Sequence, residues 1–204
     1  MHQQPTAPQD STQDARQWAE TLLHSRRTTL PKRLAEPGPD PLQQQSILRA
    51  AAAAPDHDQL LPWRFIEIPL ERRAALGDAF VAALLERDPQ AGPEAVEQAR
   101  EKAHRSPWLL LAVARLQDEQ TEISAHDRLV SAGAAIQNML LMATALGYGS
   151  SLTSGKAMES QALRTLFRLA PGEHALCFVN VGTIATERRP RQRPDVAAYW
   201  SRLA

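Results

Sequence analysis

Two adjacent guanidinium groups flanked by hydroxyls, in Ser25-Arg26-Arg27-Thr28, are the first residues of this chain whose types and spacing suit chemistry. Arginine presents a planar fork of N–H donors that matches a phosphate or a heterocycle carbonyl, and the two hydroxyls add to the set. The same residues have a second reading, because cations at a helix C-terminus complement its dipole. His57, in Ala54-Pro55-Asp56-His57-Asp58, offers an imidazole that titrates near neutrality. Ligand contact and plain loop hydrogen bonding both suit it. Gly147-Tyr148-Gly149-Ser150 follows a helical stretch rather than a strand and lacks a third glycine, so it is not a dinucleotide fingerprint. It reads instead as a helix stop with a backbone able to approach a flat ligand closely. Cys177 sits in the apolar run Ala175-Leu176-Cys177-Phe178-Val179 and reads as a core residue, not a nucleophile. No His/Cys cluster has zinc spacing and no serine sits in a nucleophile elbow, which leaves metal and triad hydrolases without support.

These candidates need elements to hold them. A helix over Gln13–His24, with Trp18, Leu22 and Leu23 as its apolar face, leads into Arg26-Arg27. An irregular arm from Thr28 to Pro41 follows, broken by Pro31, Pro37, Gly38 and Pro39. The next helix starts near Leu42 and ends in the alanine tract Ala50 to Ala54, stopped by Pro55, which lacks an N–H and clashes with the preceding turn. His57 therefore lies in a committed loop before a half-buried strand, Trp63 to Ile68. Helices are expected over Glu71–Arg87 and Pro93–Arg105. Pro107 to Ala114 is continuously apolar, as in a central strand buried on both faces. A helix from His126 to Leu146, rich in small residues, belongs in the middle of the protein or at a dimer interface. Gly147 to Gly155 is a loop or short strand, Glu159–Leu169 a helix and Ala175–Ile184 the last strand. The layout is α+β, with a disordered tail over 1–12 and a single domain over 13–204.

The whole chain narrows the classes further. It has 204 residues, 43% of them hydrophobic, enough for one sizeable core. Its formal net charge of +0 gives no field to attract nucleic acid or a membrane surface, so a charged ligand must be met locally. One cysteine excludes an intramolecular disulfide and suits the cytoplasm. There is no secretory signal and no apolar run of bilayer length. Trp18, Trp63, Trp108 and Trp200 read as core or interface anchors.

In order and spacing, these pieces resemble the nitroreductase family of flavoproteins, in its compact bacterial NAD(P)H nitroreductase branch. The resemblance covers nearly all of the chain after the tail. It rests on Ser25-Arg26-Arg27-Thr28, Arg33-Leu34-Ala35-Glu36-Pro37, Ile47-Leu48-Arg49-Ala50, Ala54-Pro55-Asp56-His57 with Pro62-Trp63, Gly147-Tyr148-Gly149, Thr153-Ser154-Gly155 and Val181-Gly182-Thr183. It implies a mixed β-sheet sandwiched by helices and an intertwined homodimer with FMN at the subunit interface. Reduced nicotinamide would be the electron donor, and a nitroaromatic, a quinone or a similar electron-poor molecule the acceptor. The flavin would carry the chemistry, so the resemblance implies no catalytic side chain. By position, Arg26, Arg27 and Thr28 match its flavin-contacting basic loop, and His57 matches a contact supplied by the partner subunit. Leu152, Thr153 and Ser154 match the segment beside the ring and ribityl chain. Two departures stand out: relatives in this branch often carry Arg where this chain has Ala53, and Trp-Arg where it has Leu152-Thr153. A chain lacking both arginines reads alternatively as a flavin-weak or non-catalytic paralogue. Lys156 and the tail arginines Arg188, Arg189, Arg191 and Arg193 are the cations placed to compensate.

Overall fold

A computed structural model describes residues 9–117, 121–186 and 192–203. The sheet follows from one strand. β5 (Glu173–Ile184) pairs antiparallel with β3 (Trp108–Arg115) on one edge and with β4 (Gly149–Thr153) on the other. β2 (Trp63–Glu67) continues the sheet beyond β3, and the two-residue β1 (Leu34–Ala35) pairs with the C-terminal end of β5. Every ladder is antiparallel. The expected mixed sheet reduces to an isolated parallel bridge, Thr28 to Ser150.

β3 shows why an unbroken apolar run was needed. Successive side chains of a strand point to opposite faces, and Trp108, Leu110, Ala112 and Ala114 enter one core while Leu109, Leu111 and Val113 enter another. The first core is closed by α2 (Pro41–Ala51) and α5 (Ala125–Ala145), which supply Ile47, Ala132, Ala135, Met139 and Ala143. The second is closed by α3 (Arg73–Arg87) and α6 (Gln161–Leu166) through Leu76, Ala79 and Leu163. The small residues of α5 thus let it lie against the middle of the sheet. α4 (Pro93–Glu101) packs against α3 at the rim. The α+β sandwich is as the sequence predicts.

Element ends differ where capping or tertiary pairing decides. α1 runs Gln9–Ser25, so residues 9–12 are helical rather than tail, while residues 1–8 lie outside the described residues. α6 is shorter than expected because Ser160 caps it, its side chain accepting from the Leu163 N–H, and Lys156–Glu159 forms a separate 3-10 turn. β4 is a strand only because β5 is there to pair with it. Trp63 and Trp108 are core residues, whereas Trp18 and Trp200 are exposed. Cys177 is buried, and desolvation pushes its thiol up to about 11, so it is protonated and inert at neutral pH.

At the end of the sheet remote from Gly149, Arg64 on β2 reaches over β3 to Glu173, donating from Nε to Oε1 at 2.6 Å and from Nη2 to Oε2 at 2.8 Å. The Glu173 carboxylate also accepts the Ala170 N–H at 2.9 Å. The Arg64 hydrogen bond comes first among the causes that hold this carboxyl below its usual range. A depressed carboxylate contributes stability above its unfolded value of about 4.3, and that contribution is lost as pH falls through the folded value. Glu173→Gln is expected to cost about 1–2 kcal/mol at neutral pH, discounted because the Arg64 side chain is 42% exposed. The gap from wild type should close on acidification, as read by urea unfolding at several pH values; a gap independent of pH would refute the assignment.

Candidate functional site

α1 ends beside β4, and main-chain bonds fix the junction. The Ser25 hydroxyl donates to Leu22 O at 3.0 Å and closes the last turn. Four residues on, Thr29 N–H donates to Ser150 O at 2.9 Å, next to the Thr28–Ser150 bridge. Arg26 and Arg27 are therefore held between a helix end and a sheet edge. Gly149 is required there, since a Cβ would lie within 3.0 Å of Ile184, Leu34 and Thr29 side-chain atoms. Tyr148 secures the approach to β4 by donating its hydroxyl to Gln43 Oε1 at 2.7 Å, the same atom that accepts Asp40 N–H in the capping box of α2.

This junction opens into a cavity of about 940 Å³. Its walls include His24, Arg26, Arg27, Arg33 and Arg193, together with Ser25, Thr28, Thr29, Thr144, Tyr148 and Thr186, and among the described residues no aspartate or glutamate. In a chain of zero net charge, four arginines with no carboxylate among the described lining residues make a local anion site. The electrostatics agree: burial, followed by the nearby positive charge of Arg193, holds Arg26 below the ordinary arginine range. A smaller depression of about 380 Å³, on the outer face of α4, is lined by Glu97, Arg100, Glu101, His104 and Arg105. There Arg100 is already paired with Asp78 and Arg105 with Glu101, so it is a solvated, charge-balanced surface.

Of the residues singled out from sequence, the fold brings Ser25, Arg26, Arg27, Thr28, Tyr148, Gly149 and Arg193 into the cavity lining and leaves Ala53, His57, Leu152, Thr153 and Ser154 outside it. Ala53 is exposed in the turn after α2, and His57 is exposed at the start of a 3-10 turn, His57–Gln59. His57 precedes β2, which lies three strand spacings from β4, about 14 Å across the sheet. Leu152 is 44% exposed near the far end of β4, followed by Thr153 and the exposed Ser154. The Thr153 hydroxyl accepts a hydrogen bond from the buried Asn180 Nδ2 at 3.0 Å. Lys156 is exposed and does not line the cavity; Arg188, Arg189 and Arg191 lie outside the described residues. Thr29 and Arg33 join the site, and of the tail arginines named from sequence Arg193 lines it. Arg33 stands in the Arg33-Leu34-Ala35 motif, but only the pairing of β1 with β5 shows which way that arm turns.

The loop that carries His57 is strained. Asp58, Gln59 and Leu61 have φ of 53°, 56° and 46°, a left-handed conformation that costs non-glycine residues about 1 kcal/mol or more each. Asp56 holds it, Oδ2 accepting the Leu61 N–H at 2.8 Å, while its Oδ1 is buried without a partner among the described residues. Such strain persists where surrounding structure dictates it, and it displays His57 outward.

The nitroreductase family model matches residues 23–183, from the end of α1 to the last turn of β5. The chain belongs to the nitroreductase family. The chain is 35% identical over 164 residues to an Escherichia coli protein named "Putative NAD(P)H nitroreductase YdjA", covering 79% of this chain and 86% of that one. It is 33% identical over 163 residues to a Haemophilus influenzae protein named "Putative NAD(P)H nitroreductase", covering 80% and 86%. Its fold matches a nitroreductase-like protein of Bacillus cereus with a TM-score of 0.78 at 15% identity, over 100% of this chain and 99% of that one. It also matches a Bacteroides fragilis nitroreductase with bound FMN, with a TM-score of 0.69 at 17% identity over 91% and 98%. Among the described residues of the nitroreductase, no helix is long and apolar enough to cross a membrane. None of them form a His, Cys, Asp and Glu group fit to hold a metal ion.

Proposed function

We propose that the chain is an FMN-dependent NAD(P)H oxidoreductase that works in the cytoplasm as a homodimer. The observation that carries this reading is the arginine-rich cavity between α1 and β4, where Arg26, Arg27 and Thr28 present donors for a phosphate. The residues fit the phosphate end of FMN, and NAD(P)H and FMN both appear in the names of similar proteins. Bound there, FMN would accept a hydride from reduced nicotinamide and release electrons to an electron-poor acceptor such as a nitroaromatic or a quinone. The role of the chain is then to bind, orient and shield. Arg26 and Arg27 hold the anionic end, the Thr28 hydroxyl donates beside them, and the segment from Leu152 to Ser154, at the end of β4, runs along the ligand. One chain does not bring His57 to the Arg26 cavity, and a second copy would supply it. Apolar side chains left exposed on α1, α5 and the C-terminal arm, among them Trp18, Leu23, Val130, Tyr199, Trp200 and Leu203, suit such a shared surface.

A flavin-weak paralogue is the second reading, and Thr153 favours it. Its hydroxyl is committed to Asn180 inside the sheet, so no cation stands where relatives of this branch often place one. One preparation separates the two. The purified protein is expected to sediment as a dimer, to show flavin absorbance after FMN is added and free ligand removed, and to bleach on anaerobic NADPH. Colourless protein after FMN loading favours the paralogue.

A further inference from the structure

The strained loop that carries His57 is closed by Asp56, whose Oδ2 accepts the Leu61 N–H at 2.8 Å. The other oxygen of that carboxylate, Oδ1, is turned inward and buried, with no partner among the described residues. A second group in the fold has the complementary deficit. Arg128, near the start of α5, is 2% exposed. It donates from Nε to Ile123 O at 3.1 Å and from Nη1 to Arg115 O at 3.4 Å, while Nη2 is buried with no acceptor among the described residues.

Contacts from two directions bring these groups to one place. The Tyr148 hydroxyl, just past the end of α5, meets Gln43 in the first turn of α2, and the turn His57–Gln59 beyond α2 still touches α5. α2 therefore runs back along α5 and delivers Asp56 beside its N-terminal half. From the sheet side, Arg115 donates its N–H to Pro62 O at 2.9 Å. The N–H and C=O of one strand residue point the same way, so the Arg115 carbonyl that receives Arg128 also faces Pro62, the neighbour of Leu61. A buried carboxylate oxygen and a buried guanidinium nitrogen are each costly alone, and opposite charges in one place offset that cost.

We propose that Asp56 and Arg128 act as one buried charge pair that fastens the His57 loop to α5, which makes both of them positioning residues for His57. One carboxylate oxygen closes the loop, and the other meets the guanidinium across a single bridging solvent molecule. The left-handed backbone at Asp58, Gln59 and Leu61 then has a restraint that holds it from the interior. The bearing of this pair on the ligand rests on the flavin reading above, in which a second copy receives His57.

Thermal unfolding of Asp56→Asn, Arg128→Met and the double variant tests the link. Each single variant is expected to lower the midpoint by roughly 4–8 °C, and the double variant by little more than the larger single loss. Losses that add overturn the proposal. Should Arg128→Met not fold, Arg128→Gln takes its place in the same cycle under the same criterion. Titration of FMN, read by quenching of flavin fluorescence, tests the positioning role in wild type and in a His57→Ala background. Asp56→Asn is expected to weaken FMN by roughly 3- to 10-fold in the first and to leave it within about twofold in the second, because its effect passes through His57. Equal weakening in both backgrounds, the mark of a merely structural role, overturns the proposal, as does unchanged affinity in the first. If wild type binds no FMN, the flavin reading falls, and the unfolding cycle still decides the Asp56–Arg128 link.

Discussion

Arg73→Ala is expected to lower the unfolding free energy by about 3–5 kcal/mol, a large share of the stability of a domain this size. The residue is 1% exposed and, among the described residues, pairs with no carboxylate. It donates instead to four main-chain carbonyls: Ile68 at 2.7 Å, Ala103 at 2.8 Å, Ser106 at 3.1 Å and Pro107 at 3.3 Å. Ile68 follows β2, and the other three acceptors precede β3, so one guanidinium joins the two ends that must align for β2 and β3 to pair. Burial holds Arg73 below the ordinary arginine range, with the charges of Glu67 and Glu36 acting the other way. Alanine leaves the acceptors buried without donors and adds a cavity. Lysine keeps the charge but lacks the fork to reach four acceptors, so Arg73→Lys should recover less than half of the loss. Urea unfolding of the three proteins decides it; a loss under about 1 kcal/mol for alanine would refute the role.

The second large effect falls on binding and spares folding. The double variant Arg26→Ala, Arg27→Ala is expected to weaken FMN by about 100-fold or more, from two charge-assisted contacts of about 1.5–3 kcal/mol each. Arg26 should carry more of it, because it is half-buried while Arg27 is exposed and screened. The ligand-free variant should be as stable as wild type or slightly more so, since removing Arg26 relieves both its desolvation and its repulsion with Arg193. If these arginines only complemented the helix dipole, the signs would reverse: stability would drop by a few tenths of a kcal/mol and FMN affinity would hold. Fluorescence titration and urea unfolding of the same preparations distinguish the two outcomes.

The parts of this architecture legible in sequence are those whose residues meet a large apolar surface along their whole length. The unbroken run of β3 and the small-residue pattern of α5 gave both elements to within a residue or two, because each is pressed against the core at nearly every turn. β1 carries no such signal; two residues have no periodicity, and Leu34–Ala35 become a strand by pairing with Ile184 and Thr183. The site divides the same way. Arg26, Arg27 and Thr28 are local in sequence and arrive together. Arg193 stands more than 160 residues away from them along the chain, and only the turn after β5 places its guanidinium against the α1 carbonyls. His57 is correctly set on a displayed loop, yet its distance from the cavity depends on strand order, which no local pattern encodes.

β4 has a neighbour along its full length on one edge, and on the other, among the described residues, the chain bridges it at Ser150. Two residues on, Leu152 turns its amide and carbonyl to that open edge, and these are the same whatever side chain the residue carries. Recognition through such a rim is indifferent to residue replacement. Leu152, one of the positions where the resemblance to its branch breaks, sits on that rim. Drift at this position can therefore alter affinity and selectivity while the main-chain template on which a ligand aligns is inherited unchanged.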